Sequence, residues 1–187
     1  MSASLEIFRA LADPTRLRIV ALLRKMELSV GELAQVLGQS QPRVSRHVKI
    51  LCDAGIAIRR KEGSWAFLAP GVPQRVDPLF RALDQWQPLD GDNHWAIADS
   101  ARLAAVHADR AVAAERYFAA HAAQWDAIRC PALVLRGAQS DLLTRETCKQ
   151  MAQRGPKAKV VEIAGVGHAP TLLHGDQIRI VREFLLA

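Results

Sequence analysis

Arg43, Arg46 and Lys49 recur every third residue within the run from Gln39 to Gly55, and in a helix that spacing gathers three cationic side chains on one side. At 100° per residue Val44, Val48, Leu51 and Cys52 fall on a narrow apolar stripe, and Arg46 points nearly opposite to it with Arg43 and Lys49 on its flanks. One face would pack while the other meets a polyanion. The strip needs a helix to exist, and the ends of the run supply one: Ser40 suits an N-cap, Pro42 suits the first turn, and Gly55 suits the position just past the last turn. A basic face on an isolated helix is more often merely solvated, so the flanking elements decide what this one is for.

Upstream, Leu5 to Leu11 forms a short helix, and Asp13-Pro14 then starts another with an N-cap and a proline at the first helical position. Leu17, Ile19, Val20, Leu22 and Leu23 give this second helix its buried face. Ser29-Val30-Gly31-Glu32 has the spacing of a capping box and opens a third helix that Gly38 closes after Leu37. Two short helices, a glycine turn and a basic-faced helix make a helix-turn-helix. After Gly55 the period changes to two. Ile56–Arg60 and Trp65–Leu68 flank Lys61-Glu62-Gly63-Ser64, a hairpin whose Arg59, Arg60 and Lys61 would lie along a phosphate backbone as a wing. Charge is distributed to match. Residues 1–88 carry 13 basic and 8 acidic side chains, against 12 and 11 in the remaining 99, so most of the net +6 belongs to the front half.

The residues Phe8 to Val20, Glu32 to Leu37 and Ser40 to Gly55 together resemble the ArsR family of bacterial winged-helix repressors, over about residues 4–70. That resemblance implies a homodimer bound to a double-stranded operator with inverted repeats and released when an effector or a metal binds. It nominates Gln41, Arg43, Ser45, Arg46 and His47 as the residues that face DNA, with Ser40 and Lys49 beside them. The metal-sensing pattern of the family is missing. Where arsenic sensors carry Cys-x-Cys, Glu27-Leu28-Ser29-Val30-Gly31 offers no thiolate, and Asp92-Asn93-His94 lacks its second half because His107 is followed three residues on by Arg110. No metal and no cofactor are expected. Cys52, Cys130 and Cys148 are too far apart for a zinc motif and too few for a disulfide framework. With no apolar run near the ~18 residues of a membrane span and no basic-then-apolar leader, the expected place is the cytoplasm.

Assembly can be read from apolar surface. Leu5 and Phe8, with Val76, Leu79, Phe80 and Leu83 at i, i+3, i+4 and i+7 after the Pro-Gly-Val-Pro break, are more than a domain of roughly 80 residues can bury alone, and a second copy is expected to cover them. A fragment ending near residue 88 is expected to keep dimerisation and operator binding.

Pro88 to Asn93 reads as a linker, and alanine-rich Ala96 to Arg129 as long helix with one break. Its segment from Glu115 to Asp126 is similar to the connector of regulators in which an ArsR-type domain precedes a methyltransferase. The glycine-rich cofactor loop of such a methyltransferase is absent. Instead the chain runs strand, helix, strand, helix from Cys130 to the end. Leu133 to Gly137 with Asp141, and Gly165 to Pro170 around His168, resemble the end of an α/β-hydrolase, in which the aspartate orients the histidine and the histidine is the general base. The third role is empty, since no Gly-x-Ser-x-Gly elbow occurs in the chain. Asp141 and His168 are therefore expected to be vestigial and the chain not to be an enzyme. The competing reading is a hydrolase fragment acting on a small ester or amide with a nucleophile supplied elsewhere. The expected fold is α+β: a winged helix-turn-helix at 1–88, a helical connector at 89–129 and a partial α/β-hydrolase-like segment at 130–187. A small-molecule effector is compatible with that plan.

Overall fold

The computed structural model describes residues 3–62, 65–86, 94–140, 142–166, 170, 172 and 174–187. Pro88–Asn93, Gly63, Ser64, Asp141 and His168 lie outside the described residues, as do the side chains of Glu62, Trp65 and His94. Packing divides the chain into two compact units, Met1–Val106 and His107–Ala187.

In the first unit α1 (Ala3–Leu11) and α2 (Pro14–Leu23) meet at Asp13, whose carboxylate accepts from the Arg16 amide at 3.0 Å and caps α2. Arg16 also donates its guanidinium to the carbonyls of Arg9 and Ala10, so one side chain closes both helices onto the same turn. The capping box forms as expected: the Ser29 hydroxyl accepts from the Glu32 amide at 3.3 Å, and the Glu32 carboxylate accepts from the Ser29 amide at 2.7 Å. It opens α3 (Val30–Leu37), which ends at Gly38 in the left-handed conformation, φ 64°. Then comes α4 (Gln41–Asp53), with Val44, Val48 and Leu51 fully buried.

Strands β2 (Ala57–Glu62) and β3 (Trp65–Pro70) form the hairpin, in the register Ala57↔Pro70 to Glu62↔Trp65. A third strand, β1 (Leu28–Ser29), pairs Leu28↔Leu68 and Ser29↔Phe67 on the other side of β3. Two residues are too short to show a period of two, which is why the pattern does not announce β1. The hairpin returns tightly against the end of α4: a side chain at Gly71 would stand 2.2 Å from the Gly55 carbonyl oxygen, so only glycine fits. Arg75, in α5 (Pro73–Trp86), donates to the Ala54 carbonyl at 2.9 Å and seals that helix end.

Compactness places the unit's edge well past 88. The first turns of α6 (His94–Ala120) are fastened to the helix-turn-helix. Asp99 takes both Arg18 nitrogens at 2.6 and 2.7 Å, the Arg18 guanidinium lies 4.7 Å over the Trp95 ring, and Arg102 donates to the Val36 carbonyl at 3.1 Å. Leu103 and Val106 join the same core as Ile19, Leu33 and Val36. The partition at 88 and 129 follows glycine and proline punctuation; the packing follows this ion pair and these two side chains.

The second unit holds the rest of α6, α7 (Ala122–Asp126), β4 (Leu133–Gly137), α8 (Arg145–Gln153), β5 (Lys159–Ile163) and α9 (Gly175–Leu185). The expected break falls at His121. Its amide is shared between the Tyr117 and Phe118 carbonyls, and its ring Nδ1 lies 2.7 Å from the Tyr117 oxygen, so the helical ladder is interrupted by competing donors. β4 and β5 pair in parallel, Leu133↔Lys159 to Gly137↔Ile163, with α8 as the crossover. Buried Arg136 donates to the carbonyls of Ala138, Ser140 and Leu143 and to Glu162, which fixes the turn after β4. The α+β architecture, with an N-terminal winged helix-turn-helix, a long helix and a small C-terminal sheet, is as expected.

Candidate nucleic-acid interface

Around the axis of α4, Lys49, Arg46, Ile50 and Arg43 occupy one arc of about 120°, and Leu51, Val44 and Val48 occupy the opposite one. The arcs differ completely in exposure. The apolar three have no accessible surface, whereas Arg43, Arg46, Lys49 and Ile50 are exposed. Burial of the first set fixes the rotation of the helix, so the cationic arc is presented outward by the packing itself. Lys49 is bonded to Asp53 at 2.7 Å, one turn on, but both groups are well exposed and such a pair contributes little to stability.

Ser40 and Gln41 stand exposed at the N-terminal end of α4, where unpaired backbone N–H groups favour an anion. Ser40 occupies the N-cap position without a side-chain cap bond, so its hydroxyl is not consumed there. Ser45 and His47 sit on the borders of the exposed arc and are half-buried. The His47 side chain is only 14% exposed and directs Nδ1 at the Asp13 carboxylate, 3.6 Å away. That distance is too long for a hydrogen bond, and Nδ1 is buried without a hydrogen-bond partner.

In the hairpin, successive side chains alternate sides, and the three basic residues separate accordingly. Arg59 and Lys61 are exposed, while Arg60 turns to Glu27 with nitrogens at 2.5 and 3.0 Å from one carboxylate oxygen. That pair ties the wing to the segment before β1. Burial pushes the Cys52 thiol up, against the opposing influence of the Arg59 guanidinium, which also hydrogen-bonds it. Burial therefore favours the neutral thiol at this position. Among the described residues no group of three His, Cys, Asp or Glu is placed to hold a metal, and no helix is long and apolar enough to cross a membrane.

The structure brings Ser40, Gln41, Arg43, Arg46, Lys49, Arg59 and Lys61 to exposed positions of this unit and draws His47 and Arg60 into contacts of their own. Ile50 escapes the reading of the sequence, although its angle, 40° from Arg46 on the wheel, could have revealed it. Arg18, Asp99 and Arg102 leave no signal, because the pairs they form span 66 to 81 residues of chain. The apolar candidates for self-association also divide. Leu5 and Phe8 are exposed, Leu79, Phe80 and Leu83 are partly buried against the core, and Val76 is 2% exposed and part of the interior.

Known proteins resemble the chain at several levels. The family model described as bacterial regulatory protein, arsR family, matches residues 13–59. The arsenic resistance transcriptional regulator ArsR1 of Pseudomonas putida is 41% identical over 101 residues, which are 52% of this chain and 75% of that protein. A 3-hydroxybutyrate-oligomer hydrolase of Cupriavidus necator is 41% identical over 103 residues, and the chain spans only 34% of its length. Among solved structures, a homodimeric winged helix-turn-helix domain from Mycobacterium bovis is 24% identical, with a TM-score of 0.44 over 49% of this chain and 84% of that one.

Proposed function

The chain belongs to the arsR family of bacterial regulatory proteins, and from that premise we propose that it is a transcriptional repressor that binds operator DNA as a homodimer in the cytoplasm. The observation that carries this reading is the helix α4, whose fully buried Val44, Val48 and Leu51 hold Arg43, Arg46 and Lys49 outward. An α-helix fits the major groove, where Arg46 and Arg43 have the fork geometry for guanine and Gln41 the amide for adenine. Exposed Ile50 suits a thymine methyl. Arg59 and Lys61 contact phosphates from the wing, and Ser40, Ser45 and Lys49 lie within reach of the backbone at the helix flanks. Arg60 positions the wing through Glu27, and His47, its side chain largely buried beside Asp13, does not itself read bases.

Two copies of the helix are needed to read two half-sites. Leu5 and Phe8 on α1, with the outer edges of Leu79, Phe80 and Leu83 on α5, are the surface for the partner; Val76 belongs to the core. The DNA-binding part extends to Val106, since the pairs made by Asp99 and Arg102 lie inside it. The C-terminal unit is the closing β-α-β-α part of a hydrolase-type fold, with Asp141 and His168 retained from a triad that has no serine elbow, and it has no catalytic role. The match to the oligomer hydrolase and the parallel β4–β5 pair support that descent.

The test is a footprint and a fluorescence-anisotropy titration on DNA from upstream of the chain's own gene, at one fixed salt concentration. Two protected half-sites separated by one helical turn are expected. Equal affinity for that DNA and for random sequence would overturn the reading.

A further inference from the structure

The second unit contains a groove of about 900 Å³ between the later turns of α6, α7 and α8, and nothing in the repressor reading uses it. That size falls in the range of small-molecule sites. Its walls are aromatic and aliphatic, with Tyr117, Phe118, Trp125 and Met151 prominent among them. Tyr117 meets Phe118 edge-on at 5.7 Å between ring centres, and its other neighbour is the His121 ring, stacked at 4.1 Å. These rings support one another along the groove wall.

The polar groups determine what could bind, and the donors among them are largely spent. Trp125 gives its indole N–H to the Arg154 carbonyl at 3.2 Å. Arg154 pairs with Asp126, and Thr144 and Thr147 bond one another at the start of α8. His121 holds the Tyr117 carbonyl. The acceptors are not spent. Glu115 makes no ion pair or hydrogen bond among the described residues. Glu146 has only Lys149 at 3.6 Å, and both of those side chains are about 70% exposed. Two exposed carboxylates line the groove against one guanidinium, Arg154, that Asp126 already neutralises, so the charge of the lining favours a cation. Tyr117, Gln124 and Gln150 add neutral polar groups that can orient a ligand, but the lining offers an organic anion no unpaired guanidinium or ammonium, since its one guanidinium, Arg154, is held by Asp126.

We propose that this groove binds a lipophilic organic cation, its apolar groups against Phe118, Trp125 and Met151 and its charge between Glu115, Glu146 and the aromatic faces. The site lies wholly within His107–Ala187 and does not depend on the DNA-binding reading.

The probe is tetraphenylphosphonium, titrated into the whole chain by calorimetry, with tetraphenylborate as the anion of matching shape. Saturable binding with one site per chain is expected for the cation and not for the anion. The double variant Glu115→Gln, Glu146→Gln keeps shape and removes charge, and should weaken cation binding by about tenfold. Glu183→Gln, on α9 and outside the groove, should leave it unchanged. Far-UV circular dichroism of each variant verifies the fold. The proposal is overturned if the cation does not saturate, if the anion binds equally well, or if the double variant and Glu183→Gln behave alike.

Discussion

Cutting the chain at residue 88 leaves every helix and strand of the winged fold in place, yet the structure predicts that the product is badly destabilised. Arg18 would lose Asp99, its partner at 2.6 and 2.7 Å, in a pair whose side chains are 14% and 7% exposed. The cut also strips α6 off Arg18, so its guanidinium regains water and what is lost is the net worth of a charge-assisted pair, about 1.5–3 kcal/mol. Leu103 and Val106 would leave the core as well, at about 1.5–3 kcal/mol each. The loss is thus roughly 4.5–9 kcal/mol, comparable with the whole stability of a domain at about 5–15 kcal/mol. Urea unfolding of fragments 1–88 and 1–106, followed by far-UV circular dichroism at one protein concentration, measures it. Fragment 1–106 should unfold cooperatively, and 1–88 should be largely unfolded before urea is added. Asp99→Ala in fragment 1–106 breaks the pair from one side while the rest of α6 stays in place over Arg18, leaving that charge desolvated at a cost of about 3–5 kcal/mol, and should lower the midpoint by about 1–5 M. A midpoint for 1–88 equal to that of 1–106, or a cost below about 1 kcal/mol for Asp99→Ala, would refute the reasoning.

Arg46→Ala should cost about 1–3 kcal/mol against the operator and little against random DNA, whereas Lys61→Ala should weaken both and flatten the salt dependence by about one unit; anisotropy titrations at several salt concentrations separate the two patterns. Phe8→Glu, at a site 59% exposed, should give a folded monomer by sedimentation and lower operator affinity, while Val76→Glu, at a site 2% exposed, should unfold the first unit. In the second unit, the hydrogen bond from Arg145, and then the charges of Arg145 and Arg136, hold the Glu162 carboxyl below its ordinary value. A carboxylate shifted downward by folding stabilises above its unfolded pKa and loses that contribution as pH falls through its folded one, so thermal melts of Glu162→Gln should show a smaller drop on acidification below the ordinary carboxylate range than the parent.

The local elements of the first unit were legible because local chemistry dictates them. Asp13 with Pro14, Ser29 with Glu32, and Gly38 mark helix ends through bonds made within a few residues, and Val44, Val48 and Leu51 fix one face of α4 by spacing alone. From that face the outward direction of Arg46 follows. Pairing that spans the chain was not legible. Whether Arg60 meets a phosphate or a carboxylate depends on Glu27, 33 residues away, and that contact removes one of the wing's three cations from the exposed set. His47 is exposed on a helical wheel drawn alone and covered once Asp13 is packed beside it. Val76 has the same period as Leu79 and Leu83, and amphipathic spacing cannot tell a core from a partner's surface; only the packing of α5 on the first unit does. The edge of that unit was hidden for the same reason. Glycine and proline near 88 mark where the backbone can turn, while Asp99 and Arg102 determine which side of the turn is held, and a contact across 66 to 81 residues leaves no trace in local composition.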